Sequence, residues 1–417
     1  MPNAPLSISK DNEPEAKIKL LRNKAFLFLW LSSTFSFLSL STYLFAEQWY
    51  IIRVLKQEAA LGIVLMVTMI PRVVLMTIGG VWADRIKRSK IMILSSLARF
   101  LLVIVMIVFL ELSWLALWPL ICFALLFGCI DAFFSPANTS ILPMLVPKKT
   151  LTRANSFIQT SNQVAMFSGP MIGGWVLTFG NFSVLFQTSA FFLFLTFIFS
   201  TLIKEEKKVK NIERTSTIEE IKEGINYVWS MPFLKNMIII LVIINFFFFG
   251  PLLMGIPLIV DNVLLGEALD LSFLQSSYQG GMFLGAVLVG ILNLIKRRGF
   301  IILILISSLG VCLAALGQIF DLWQGIVLLM LMGVFSSIIN VLLISSIQER
   351  SQENKIGRVM SLVNASSNGL VPLSYAFISL SLLVNFSISG VMLLCGLLIF
   401  ITSILFIWKS DFIKLAN

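Results

Sequence analysis

Long apolar segments, each separated from the next by a short polar break, recur along this chain from Phe26 almost to Trp408. A helix needs about 20 predominantly apolar residues to cross the hydrocarbon core of a bilayer. Twelve stretches answer that description, at roughly 26–52, 59–82, 91–110, 115–136, 155–179, 182–203, 236–260, 271–295, 299–318, 322–345, 359–382 and 386–408. Hydrocarbon offers backbone amides no partner, so each stretch is predicted to be an α-helix. The fold class is thus an all-α membrane protein that crosses the bilayer many times. The longest polar break, Lys204 to Lys235, divides the spans six and six. The expected organisation is a polar tail over 1–24, a six-helix bundle over 25–203, a linker over 204–235, a second six-helix bundle over 236–409 and a tail over 410–417.

The linker has a helical signal of its own. Thr217 and Glu220 form a capping box, and Ile218, Ile221, Ile225 and Val228 follow as an apolar stripe. The two bundles also echo each other. GVWADRIKRSKIMI (Gly80 to Ile93) follows the second span, and GILNLIKRRGFIIL (Gly290 to Leu303) follows the eighth. Each has a glycine near the end of one span, a basic cluster and the next apolar run. FSGPMIGG in the fifth span has a weaker echo in SNGLVPLS of the eleventh. Paired halves of this kind suit a transporter whose site lies between repeats near the midplane.

Composition agrees, with 58% hydrophobic and 12% charged residues. The net charge of +10 raises the question of nucleic acid, but its placement answers it. Alternate connections and both tails carry 27 of the 31 Lys and Arg, whereas the other side has only Arg53 and Lys56, while the acidic Glu111, Asp261, Glu267, Asp270 and Asp321 lie there. The positive-inside rule then puts both termini in the cytoplasm of a cell-membrane protein, and no nucleic-acid partner is expected. Cys122, Cys129, Cys312 and Cys395 fall within apolar segments and read as small buried hydrophobes. With no histidine, any proton-handling step must use carboxylates.

Ionisable residues at membrane depth are costly and therefore candidates for function. Four stand there: Glu47, Arg72, Arg99 and Asp131. Arg72 lies about 12 Å deeper than Gly80 at 1.5 Å per residue, and Arg99 and Asp131 reach a similar depth. Asp131 is expected to pair with Arg72 or with Arg99, as a fixed tie or as a switch. Glu47 could exchange protons, bind a cationic drug, or simply face water at the mouth of the bundle. Gln48, Gln159, Asn162, Gln163, Asn245, Asn364 and Asn368 are further candidates for cavity walls or interhelical hydrogen bonds. Trp30 and Phe246 to Phe249 could form an aromatic wall or face lipid.

Two motifs carry a resemblance. GVWADRIKRSK resembles the G-x-x-x-D-R-x-G-R-[RK] loop of the major facilitator superfamily, and AMFSGPMIGG resembles that superfamily's fifth-helix antiporter motif. Asp131 to Gln159 is similar to the fourth-to-fifth-helix region of its macrolide-efflux and secretion-effector branch. The resemblance implies twelve transmembrane helices in two pseudo-symmetric six-helix bundles. It further implies a cytoplasmic gate at Gly80, Asp84, Arg85 and Arg88, and a packing and gating role for Gly169, Pro170, Gly173 and Gly174. Asp84 would meet a helix N-terminus, and the arginines could pair with acids across the half-interface. The loop departs from the pattern in Lys87, where the family has glycine, and in Ser89, where it has a basic residue. Phe127 stands near the place of a fourth-helix arginine found in many proton-linked exporters.

These readings converge on a monomeric secondary exporter of small amphipathic molecules, driven by proton exchange in contact with membrane lipids. No phosphate-binding loop and no catalytic constellation occur, so no cofactor or enzymatic activity is expected. A lysophospholipid, lipid or siderophore carrier and a non-transporting sensor or anchor remain open alternatives.

Overall fold

The structure, a computed structural model, describes residues 20–205, 226–292, 298–352 and 356–408. Within these, the side chains of 77–85, 292, 357, 358, 361 and 368 are not described. The first half contains α1 (Lys24–Arg53), α2 (Glu58–Arg85), α3 (Arg88–Glu111), α4 (Leu117–Leu145), α5 (Leu151–Phe179) and α6 (Phe182–Thr201). The second contains α7 (Pro232–Asn262), α8 (Ala268–Leu292), α9 (Arg298–Leu316), α10 (Leu322–Arg350), α11 in two segments (Ile356–Gly369 and Val371–Leu383) and α12 (Ile388–Trp408).

Among the described residues, nine helices are long and apolar enough to cross a membrane. The expected twelve spans are not all of that kind: α5, α8 and the divided α11 pack in the same bundle but are too short or too polar to be counted with them. Two of them bear polar runs, Gln159 to Gln163 in α5 and Gln275 to Gln279 in α8. The eleventh segment, expected whole, is broken at Leu370 before Pro372. The seventh starts four residues earlier than expected and contains a π-turn at Asn245–Phe249. Residues 206–225, with the capping box and most of the apolar stripe, lie outside the described residues. Val228 is buried, and the Tyr227 hydroxyl accepts from the Gln352 amide (3.2 Å) at the end of α10. One cysteine differs from expectation: Cys122 is exposed on the outside of the bundle.

Lipid supplies little drive for helices to associate, so close backbone approach and interhelical hydrogen bonds must do it. Gly128 of α4 rests on the Thr68 carbonyl of α2, and in the second half Gly281 of α8 rests on the Met330 carbonyl of α10. Gly310 of α9 and Gly396 of α12 face each other's backbones. Ser32 and Ser39 of α1 bond Ser200 (2.8 Å) and Ser189 (2.9 Å) of α6. The two halves repeat this plan: α2 packs on α4 as α8 on α10, and α3 on α6 as α9 on α12. Across the boundary, α5 packs on α8 and α2 on the second segment of α11, an equivalent pair of contacts.

A Cβ at Gly128 would collide with the α2 backbone, whereas one at Gly290 meets nothing within 4 Å. Gly128→Ala should cost about 1–3 kcal/mol through overpacking. Gly290→Ala should leave stability unchanged or raise it. Thermal melts followed with a thiol-reactive dye on the native cysteines check the contrast.

Candidate functional site

The close approach at Gly128 decides what forms beside it. Asp131 stands about one turn beyond Gly128 on α4, and Arg72 about one turn beyond Thr68 on α2. The Arg72 side chain therefore reaches its target directly, with Nε 3.1 Å from Asp131 Oδ2. The other carboxylate oxygen is taken from behind by Arg99 of α3, whose Nη1 donates at 2.8 Å. The sequence left a choice between the two arginines; the structure uses both.

Their surroundings differ. Arg99 is fully buried, donates through Nη2 to Ser36 Oγ (3.2 Å), and lies 4.2 Å from the Phe134 ring centroid. Arg72 keeps a 36% exposed side chain. It lines a cavity together with Asp131, Asn155, Gln159 and Asn162, at the inner ends of helices that run to the side bearing the basic loops. Asn138 donates to Ser33 (3.1 Å), which donates to Asn162 Oδ1 (3.2 Å), tying α4, α1 and α5 together along this wall.

Glu47 is not at an aqueous mouth, as one reading of the sequence had it. It is fully buried and lines none of the described cavities. Its Oε1 accepts from the Tyr43 hydroxyl (2.9 Å), and its Oε2 has no hydrogen-bond partner among the described residues. Tyr43 stacks on Phe127 with centroids 4.4 Å apart, and the Arg99 guanidinium lies 6.0 Å from the same ring. An aromatic pair thus separates the Glu47 carboxyl from the Asp131 cluster. Ser36, Tyr43 and Phe127 were not singled out for this cluster; the signal for the first two was their spacing with Glu47 along one face of α1.

The remaining candidates divide clearly. Asn245 lines a second cavity, in the other half, with Phe248 and Phe249; it also donates to the Leu241 carbonyl (2.8 Å). Two of the four phenylalanines expected at the wall or the lipid thus reach the wall. Trp30 donates to Ser161 Oγ (2.6 Å). Asn364 is exposed on the first segment of α11, and the side chain of Asn368 lies outside the described residues. So do those of Gly80, Asp84 and Arg85; α2 continues as helix through Arg85. Arg88 donates to Ser140 Oγ (2.9 Å) and reaches Met144 Sδ (2.9 Å), both on α4 of its own half. Among the described residues, Glu205 stands at the start of α3 and accepts from the Ser89 amide and hydroxyl (both 2.9 Å). Ser89, a departure from the family loop, is what permits that bond.

The fifth-helix motif packs in two directions. Gly169 and Gly173 lie against Ser41 and Phe45 of α1, while Gly174 lies against Ser272 and the Ala268 carbonyl of α8 in the other half. Pro170 shares a small cavity at the half-interface with Gln48 and Gln275, and Gln275 donates to Gln48 (2.9 Å). Around it runs a ladder of contacts between the halves. Gln163 donates to Gln279 (3.2 Å), Ser276 to the Phe167 carbonyl (2.9 Å) and Ser379 to the Ala59 carbonyl (2.7 Å). At its outer end Arg53 pairs with Asp261 (3.0 Å), donates to the Gly266 carbonyl and lies over Trp49, while Asn262 donates to Glu58 (3.1 Å). This ladder closes the acidic side of the boundary down to mid-depth. Arg53 and Asp261 were read from the sequence only as charges on that side; their positions near the ends of α1 and α7, equivalent helices of the two halves, held the signal.

Residues 29–293 and 262–414 match the family model described as Major Facilitator Superfamily. Macrolide efflux protein A of Streptococcus pyogenes is 22% identical over 331 residues, 76% of this chain and 80% of that protein. Enterobactin exporter EntS of Shigella dysenteriae is 25% identical over 299 residues, 70% of this chain and 69% of that one. An uncharacterized MFS-type transporter, YfiS of Bacillus subtilis, is 26% identical over 178 residues, 42% of either chain. The crystal structure of nucleoside transporter NupG superposes with a TM-score of 0.74 at 11% identity, covering 92% of this chain and 98% of that one. A bacterial homolog of the human lysosomal transporter Spinster, in an inward-facing and unoccupied conformation, gives 0.64 at 15% identity over 95% and 97%.

Removing one member of a buried ion pair strands the other and costs about 3–5 kcal/mol, whereas removing both costs less. Asp131→Leu or Arg99→Met alone should therefore lower the melting temperature more than the double variant does. A double-mutant cycle of thermal melts in detergent reads the coupling.

Proposed function

This chain belongs to the Major Facilitator Superfamily, and we propose that it exports amphipathic or hydrophobic small molecules by alternating access. The observation carrying this reading is the contrast between the two ends of the half-boundary. A hydrogen-bonded ladder from Arg53–Asp261 to Gln163–Gln279 closes the acidic side. A cavity bounded by Arg72, Asp131, Asn155 and Gln159 lies toward the basic side. By the positive-inside rule the basic side is cytoplasmic, so this state would load from within the cell. Opening outward would break the ladder one polar contact at a time while α5 and α8 slide on the small residues Gly174 and Ser272. The macrolide and enterobactin exporters among its relatives support export as the direction.

Proton exchange would act through Asp131 and Glu47. A proton on Asp131 would loosen its hold on Arg72, so that proton and substrate occupancy change the same contact. Glu47, with one carboxyl oxygen unpartnered among the described residues, offers a second acceptor one aromatic pair away. In everted vesicles an imposed pH gradient should drive uptake of an amphipathic probe. Asp131→Asn and Glu47→Gln should each abolish accumulation against a gradient; full accumulation by both variants would remove the proton-coupled reading. A carrier of lipids is the second reading, favoured by the uncharged, mainly apolar cavity of the second half. Lysolipid movement in proteoliposomes without a pH gradient would select it.

A further inference from the structure

The two halves offer the passage unlike walls. In the first half, two guanidiniums face one carboxylate at the centre of the bundle. No other described carboxylate reaches them. Glu47 lies six residues from the end of α1 and Asp131 fourteen from the start of α4, which separates them by about 12 Å along the bundle. Asp84 is twelve residues beyond Arg72 on the same helix, about 18 Å away. The cluster thus carries one positive charge more than it can neutralise. That excess is not distributed evenly. Arg99 is sealed between Asp131, Ser36 and two phenyl rings, while Arg72 spends only Nε on Asp131. The terminal nitrogens of Arg72 have no hydrogen-bond partner among the described residues, and its side chain is open to the cavity.

The second half presents the opposite chemistry. Its cavity is walled mainly by apolar side chains such as Leu241, Phe248, Phe249 and Met282, with uncharged polar groups such as Asn245 and Asn340 between them and no charged residue among its lining. The π-turn in α7 turns Phe248 and Phe249 toward it. A third, smaller cavity at the half-interface is lined from both sides, by Ser41 and Gln48 of the first half and by Leu253 and Tyr278 of the second, and Tyr278 also lines the second cavity.

We propose that the substrate of this site is an anionic amphiphile, its carboxylate or phosphate headgroup bound by the Arg72 guanidinium and its apolar chain lodged against Phe248 and Phe249. This rests on the export reading above and narrows it. A guanidinium whose two terminal nitrogens have no partner among the described residues suits a planar two-point bond to such a headgroup, and a chain leaving water for the second cavity supplies the hydrophobic drive. A cationic amphiphile would meet uncompensated positive charge, with Asp131 already engaged on both oxygens.

The test uses the full chain in zwitterionic-lipid nanodiscs, with empty nanodiscs subtracted, and four probes sharing an oleoyl chain. These are a lysophosphatidate, oleate, the neutral monoacylglycerol and a trimethylammonium. At least one anionic probe should bind about tenfold or more tightly than the neutral and cationic ones, and the tighter of the two anions identifies the headgroup. Arg72→Gln should erase that preference and Arg72→Lys should retain part of it. A cationic or neutral probe binding as tightly as both anions, or an unchanged preference in folded Arg72→Gln, overturns the proposal. Should that variant fail to fold, the ranking on the unaltered protein decides. Equilibrium binding is separate from movement: anion preference without transport in proteoliposomes would sink the export reading alone, and transport without anion preference would sink this one.

Discussion

One carboxylate shared by two guanidiniums, in the middle of a bilayer, constrains much of the first half. Ionised groups at that depth are tolerated only inside the bundle and only with partners. Asp131 meets that demand by sitting where α2, α3 and α4 converge, with Arg99 behind it and Arg72 in front. The convergence depends on Gly128, which lets α4 press on the α2 backbone about one turn away. The cluster is therefore a product of helix packing as much as of charge, and a larger residue at Gly128 would separate the partners as well as the helices.

The same economy of small residues shapes the boundary between the halves. Gly62 against Ser379 and Tyr375, and Gly174 against Ser272, bring α2 to α11 and α5 to α8 at equivalent places. Around these contacts the described residues join the halves by side-chain hydrogen bonds and the partly exposed Arg53–Asp261 ion pair. Interactions of that sort are individually weak and can be exchanged for water, unlike a fused apolar core. Such a boundary can open without unfolding either half. The cores of the halves, by contrast, are held by glycine contacts such as Gly281 on Met330 and by the serine pairs of α1 and α6. Rigid halves and a polar seam are what rocking requires.

Much of this was legible in the residues. Apolar periodicity and the break near Lys204 located the two bundles, and the scarcity of charge at depth singled out Arg72, Arg99 and Asp131. Composition could not choose between the two arginines, because the choice lies in how closely α2 and α4 approach. Glu47 was seen but misplaced by one reading: its distance from the helix end is compatible with a watery mouth, and only packing by Tyr43 and Phe127 buries it. The ladder across the boundary was almost invisible, since Gln48 and Gln275 are 227 residues apart and nothing local pairs them. The π-turn in α7 escaped for the same reason, since it lies where Phe246 meets Ser374 of α11, whereas the break in α11 had a local signal in Gly369 and Pro372. The family loop was legible as a motif, whereas the bond from Ser89 to Glu205 became visible only in three dimensions.

A passage open on the basic side and closed on the other is the central claim, and side-specific labelling tests it most directly. In a background with the native cysteines replaced, Asn155→Cys on the cavity wall and Gln275→Cys within the ladder would be exposed to a membrane-impermeant thiol reagent. The account predicts that Asn155→Cys reacts in inside-out vesicles and is protected in right-side-out ones, while Gln275→Cys resists from the outer side. Labelling of Asn155→Cys from the outer side alone, or free labelling of Gln275→Cys from outside, would contradict it.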